Sequence, residues 1–155
     1  MFCWILLLAH VKIPPVEDCE YGLHLKTGIL VFDLVFVYGT LRQGEVNHHL
    51  LSGAEFCGEH MTRPQYRMLN LGAYPGVVDG GSTAIVGEIY RIDKKQFVHL
   101  DRLEAYPVLY NRKLIPTRWG RAWIYLYRGN RSARPVIPSG NWIGQMRKSG
   151  PFSLY

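Results

Sequence analysis

A continuously apolar run that stops in a glycine loop constrains this chain more than any other stretch. Val35-Phe36-Val37 leads directly into Tyr38-Gly39-Thr40-Leu41-Arg42-Gln43-Gly44. Short apolar runs rich in Val and Phe and closed by a turn signal read as buried strands. Gly39 has access to dihedrals denied to other residues and lets a ligand come close to the backbone. A strand ending this way leaves the amides of Gly39, Thr40 and Leu41 pointing into one space. Successive free amides form a concave anion site, suited to a carboxylate or a developing oxyanion. The same residues equally suit an ordinary tight turn after an inner strand.

Around this strand the chain divides into an N-terminal extension at 1–33, a main domain at 34–147 and a tail at 148–155. The first nine residues are apolar but too short to span a bilayer, and no membrane association is expected. They lack the positive start of a signal peptide, and Pro14-Pro15 follow instead of a cleavage site. One expectation is that 1–33 arises from an upstream start, the natural protein beginning near Leu34 or Val35. The alternative is an added strand over 29–32.

Downstream, 46–51 suits one or two helical turns, and 54–61 and 66–71 suit short strands separated by Arg63-Pro64. Residues 72–76, Gly-Ala-Tyr-Pro-Gly, form a turn-rich stretch expected to lie over a surface cleft. The next strand is expected at 83–92, with Gly87 at a bulge or close backbone approach. Asp93 opens a helix, with Gln96 placed to complete a capping box. Phe97, Leu100 and Leu103 recur at helical spacing, so that side is expected to face the core. Glu104 comes at the helix end, before Ala105-Tyr106-Pro107 stops it. From Leu109 the pattern switches to period two, with Trp119-Gly120 marking a hairpin between two aromatic-rich strands. Residues 139–142 suit a terminal turn that closes one end. About six strands with one main helix predict an α+β domain, most simply a small closed or nearly closed mixed β-barrel.

Composition narrows the partners. The net charge is +6, and no carboxylate follows Glu104. That asymmetry attracts either nucleic acid or a small anionic substrate. Because the arginines alternate with aromatics inside apparent strands, the reading is a small molecule and no nucleic acid. Three widely spaced cysteines, Cys3, Cys19 and Cys57, fit a reducing, cytoplasmic compartment better than a disulfide framework or zinc site. His48 and His49 are adjacent and have no partner at ligand spacing, so no metal is expected. There is no phosphate-binding glycine motif, hence no nucleotide cofactor.

Glu104 is the outstanding candidate for chemistry. A carboxylate at a helix C-terminus is disfavoured by the macrodipole. Aromatic neighbours would add desolvation, which also raises its pKa. A carboxylate poised upward is what a general base near neutral pH requires. Tyr110 and Arg112, just past the proline, are placed to return a hydroxyl and a guanidinium towards it. Asp101 is expected to meet solvent or Arg102.

Three stretches together resemble the gamma-glutamylcyclotransferase-like family, which includes the gamma-glutamylamine cyclotransferases. They are 35–44 with Asn47-His48; 72–76 with Gly87-Glu88-Ile89-Tyr90; and Leu100-Asp101-Arg102-Leu103-Glu104-Ala105-Tyr106-Pro107 with Tyr110-Asn111-Arg112. Residues 123–127 and 139–142 are similar to its small bacterial branch. The resemblance runs from about 34 to 145. It implies a small barrel in which loop residues Tyr38, Gly39, Thr40 and Leu41 bind substrate beside Glu104 as general acid/base. Tyr110 would orient base or substrate, and Arg42 and Arg112 would add positive field. The implied reaction is attack of a gamma-glutamyl substrate's α-amine on its own γ-carbonyl, giving 5-oxoproline without cofactor or metal. The alternative is a non-catalytic barrel that holds a small acidic metabolite in the same cavity.

Overall fold

The computed structural model describes residues 32–143. The readings made for 1–31 and 144–155, including the start-site and added-strand alternatives, fall outside these residues. Seven strands and one α-helix follow in the order β1 (Asp33–Val37), a 3-10 turn (His48–Leu51), β2 (Glu55–Met61), β3 (Tyr66–Asn70), β4 (Pro75–Asp79), β5 (Val86–Ile92), α1 (Lys94–Leu103), β6 (Tyr110–Thr117) and β7 (Gly120–Tyr127). The fold is mixed α+β with a single main helix.

Five strands form one sheet in the order β2-β5-β1-β7-β6, while β3 and β4 form a separate two-stranded ribbon. β1 is the central strand, antiparallel to β5 and parallel to β7. Its side chains alternate between two cores: Val35 and Val37 face one, with Leu100, Tyr110 and Tyr125. Phe36 and Tyr38 face the other, with Tyr66, Ile89, Ile124 and Trp142. Burial on both faces explains why β1 reads as an unbroken apolar run instead of an alternating one.

The closed form of the expected barrel is not made, because no pairing among the described residues joins β2 to β6. The two edges come near one another where Gly58 of β2 packs against the Trp119 indole. β6 carries Pro116, which has no amide to donate, and β2 carries charged Glu55 and Glu59, so neither edge favours a ladder. The β3–β4 ribbon packs over β7, with Gly76 against the Tyr127 ring.

Residues 72–76 are only partly a turn. Pro75 and Gly76 already belong to β4, four of whose five residues are buried. Helix α1 begins as expected, with the Asp93 carboxylate accepting from the Gln96 amide and the Gln96 side chain accepting from the Asp93 amide. Leu100 is fully buried and Phe97 packs on the core, but Leu103 is 39% exposed. The inward stripe is thus one residue shorter than its spacing implied. Gly87 is a close approach: a Cβ there would stand 2.3 Å from the Val37 carbonyl oxygen and 2.6 Å from the Phe36 ring. The sheet's irregularity lies on β2, between Phe56 and Gly58. Gly87→Ala must push two central strands apart, and we expect a loss of about 1–3 kcal/mol in denaturant unfolding.

Candidate active site

Glu104 is the C-cap of α1, its amide bonded back to the Leu100 carbonyl at 2.9 Å. Ala105 follows with φ of 45° and turns the chain away from the helix. The residue is partly buried, and none of the ion pairs among the described residues includes it. Its pKa is raised from 4.5 to about 7, and desolvation by burial is the cause. An unpaired carboxyl withdrawn from water prefers its neutral form.

Two adjoining cavities meet at this side chain. The inner one, about 30 Å³, is bordered by Tyr38, Gly39, Thr40, Leu41, Pro75, Glu104 and Tyr125, among others. The outer one, about 170 Å³, is bordered by Thr40, Asn47, Tyr74, Leu103, Glu104, Leu109 and Tyr110. Thr40 and Glu104 belong to both. All six site residues predicted from sequence therefore border one or the other, although α1 and the loop after β1 are distant in the chain. Among the described residues, no turn or side-chain acceptor is bonded to the amides of Gly39, Thr40 or Leu41.

Strong local anchors hold the loop open. The Arg42 amide closes a turn onto the Gly39 carbonyl at 3.0 Å, and the Asn47 amide reaches the Thr40 carbonyl at 2.9 Å. Arg42 was expected to add positive field to the site. Instead its Nε meets Glu88 Oε1 at 3.0 Å, with both side chains only 4% exposed. Glu88 also accepts from the Gln43 amide and the Tyr90 hydroxyl, while Arg42 Nη1 donates to Asn141. The cation is spent on fixing the loop to β5.

Gly39 has a different task from the expected one. Its φ is not left-handed; a Cβ would instead lie 2.8 Å from the Pro75 ring. The start of β4 thus roofs the loop, and the Tyr110 hydroxyl holds it there by donating to the Pro75 carbonyl at 2.9 Å. Tyr38 is tied down in the same way, donating to the Tyr125 carbonyl at 2.8 Å. Burial pushes the pKa values of Tyr38, Tyr110 and Tyr125 upward, helped at Tyr125 by its bond to Asp101, at Tyr38 by Tyr110 and at Tyr110 by the Glu104 carboxylate, so all three phenols stay neutral.

Arg112 does not reach Glu104 either. It pairs with Asp101 at 3.1 Å and lies 4.1 Å over the Tyr106 ring and 4.6 Å over Phe97. Asp101 also accepts from the Tyr125 hydroxyl at 2.7 Å. The expectation that Asp101 faces solvent or Arg102 is therefore replaced by a buttress beneath the end of α1. Pro75 and Tyr125 at the inner cavity, and Asn47 and Tyr74 at the outer one, are among the lining residues that were not predicted as site residues. Tyr125 sits in a strand where every aromatic looks alike by period. Pro75 lies in the 72–76 stretch expected over a cleft, but nothing local in the sequence ties it to Gly39. Among the described residues, no cluster of three or more His, Cys, Asp or Glu is placed to hold a metal. No helix there is long and apolar enough to cross a membrane.

Comparison with known proteins bears on the family and the fold. The family model described as gamma-glutamyl cyclotransferase, AIG2-like, matches residues 35–144. A Vibrio cholerae relative, whose gamma-glutamylcyclotransferase name is provisional, is 46% identical over 70% of this chain and 94% of its own. The gamma-glutamylcyclotransferase family protein YtfP of Escherichia coli K12 is 38% identical over 70% of this chain and 95% of its own. The solution structure of E. coli ytfP aligns with a TM-score of 0.60 and 36% identity, covering 73% of this chain and 98% of that one. A mouse AIG2-like crystal structure, at 24% identity and a TM-score of 0.54, shares the fold over 63% of this chain and 77% of its own. With the family model matching residues 35–144 and the two bacterial relatives matched almost end to end, the chain belongs to the gamma-glutamyl cyclotransferase, AIG2-like family.

Proposed function

We propose that the protein is a cofactor-independent gamma-glutamyl cyclotransferase with Glu104 as its general acid/base. The observation that carries this reading is the unpaired Glu104 carboxyl, with a pKa of about 7, at the cavity that residues 39–41, whose amides make no turn bond, also border. Family membership supports the reaction class.

The ionised carboxylate takes a proton from the α-ammonium of a gamma-glutamyl compound. The freed amine attacks the γ-carbonyl carbon of the same molecule, and the carbonyl π pair moves onto oxygen. Collapse of this intermediate re-forms the carbonyl and breaks the bond to the leaving nitrogen. The ring nitrogen gives up two protons in all and the leaving nitrogen takes up two, so the carboxyl returns to its starting state. The products are 5-oxoproline and an amine or amino acid. Because the nucleophile belongs to the substrate, the protein's work is positioning and charge stabilisation. A well-oriented intramolecular attack reaches effective molarities of about 10⁵–10⁸ M. The amides of Gly39, Thr40 and Leu41 hold an anionic group, and Tyr110 fixes the wall opposite.

A panel of gamma-glutamyl amines and dipeptides, assayed for 5-oxoproline, tests the reading. Turnover of at least one class is expected, and a panel returned wholly unchanged would leave only a binding protein for small acidic metabolites. The pH profile carries a second prediction. Glu104 must be ionised to act as base, so kcat/KM is expected to rise with a single-proton slope and level off above about pH 7. A midpoint near 4.5 would mean that the carboxyl is solvated.

A further inference from the structure

We propose that the Thr40 hydroxyl donates to the oxyanion formed on the attacked carbonyl, and that Asn47 is the positioning residue that aims it. This rests on the cyclotransferase reading and adds two residue roles to it. Asn47 stands at the N-cap of the 3-10 turn, yet its side chain makes no capping bond. Its Nδ2 instead donates to Thr40 Oγ1 at 2.9 Å, and its backbone amide donates to the Thr40 carbonyl, also at 2.9 Å. Two bonds from one residue to another fix both the backbone and the side chain of Thr40.

A threonine hydroxyl has one hydrogen to give and two lone pairs to accept with. Asn47 occupies a lone pair. The hydrogen has no acceptor among the described residues, and Thr40 borders both cavities that meet at Glu104. An O–H that already accepts a hydrogen bond is polarised into a better donor. The free backbone amides beside it supply fixed dipoles of the same sense. Neither Arg42 nor Arg112 faces the cavity, since each is paired with its own carboxylate. The hydroxyl is thus a side-chain donor on the loop side of the site, at the two cavities that Glu104, the group that takes and returns the proton, also borders. A donor whose bond strengthens as charge develops acts on kcat more than on KM.

Thr40→Val keeps the shape and removes the hydroxyl. We expect kcat for 5-oxoproline formation to fall about 10²–10³-fold, with KM changed only a few-fold. Thr40→Ser is expected to stay within a few-fold of wild type. Asn47→Asp is the sharper variant. A carboxylate can only accept, so the Thr40 hydrogen turns from the cavity to the new side chain. Measured on the high-pH plateau, its kcat should fall nearly as far as that of Thr40→Val. Asn47→Ala should cost less, and the Thr40→Val, Asn47→Ala double variant should be no slower than Thr40→Val alone. Unchanged near-UV circular dichroism would show that each variant is folded. An active wild type with full kcat in Thr40→Val or Asn47→Asp overturns the assignment while leaving the cyclotransferase reading intact. A Thr40→Val effect confined to KM overturns it too, because the hydroxyl would then be a ground-state contact. A wild type without lactam formation overturns both.

Discussion

Glu104→Gln is expected to lower 5-oxoproline formation by at least about 10²–10⁴-fold, the range associated with loss of a positioned acid/base. The same substitution should make the protein more stable at pH 8. The two effects share one cause. Burial holds the native carboxyl at about 7, whereas the unfolded chain releases its proton near 4.5. Between those values the native state keeps a proton that the unfolded state has lost, so wild-type stability falls as pH rises through the window. Above about pH 7 the loss is complete and the curve is flat. The gap corresponds to at most about 3 kcal/mol. A neutral glutamine pays no such penalty, so thermal melts at pH 8 should favour the variant by several degrees, with little difference near pH 4.5. Loss of activity together with lost stability at both pH values would mark Glu104 as a structural residue. Equal activity and equal melts would mark it as a solvated helix end.

The parts of this fold that could be read from sequence are those with local causes. The capping box at Asp93 and Gln96 is set within four residues and forms as expected. The two cores around β1 follow from an apolar run too dense for a one-sided strand. Glu104 was legible because helix stop, proline and apolar spacing converge on it. What escaped depends on contacts between distant segments. Pro75 packs on Gly39 and is held by Tyr110, a three-way contact that no period in the sequence encodes. Sequence set Asp101 against solvent or Arg102 and aimed Arg112 at Glu104, but the two pair with each other and the rings of Phe97 and Tyr106 flank the guanidinium. Closure of the sheet escaped for a similar reason. About six strands were expected and seven are present among the described residues; closure depends on which edges accept a partner, and β2 and β6 do not pair.

Glu88→Ala should cause the largest loss of stability of any single substitution here, about 3–5 kcal/mol in urea or guanidinium unfolding. Sequence placed Arg42 in the site's field and Glu88 on a strand; their meeting at 3.0 Å makes them one structural unit. Truncating Glu88 leaves a guanidinium buried without its counter-charge. It also leaves the Gln43 amide and the Tyr90 hydroxyl without their acceptor. Replacing both charges, as in Arg42→Met with Glu88→Leu, removes the uncompensated ion and should recover much of the stability. Recovery should stop short of wild type, because those two donors remain unpaired. Arg42→Lys separates charge from geometry. An ammonium keeps the sign but cannot bridge Glu88 and Asn141 with a planar fork, so a smaller loss of stability is expected. Arg42 directly follows the three free amides, so loosening it should also raise KM for a gamma-glutamyl substrate. If Glu88→Ala cost less than about 1 kcal/mol, water would have to reach the pair, and another contact would have to hold the loop open.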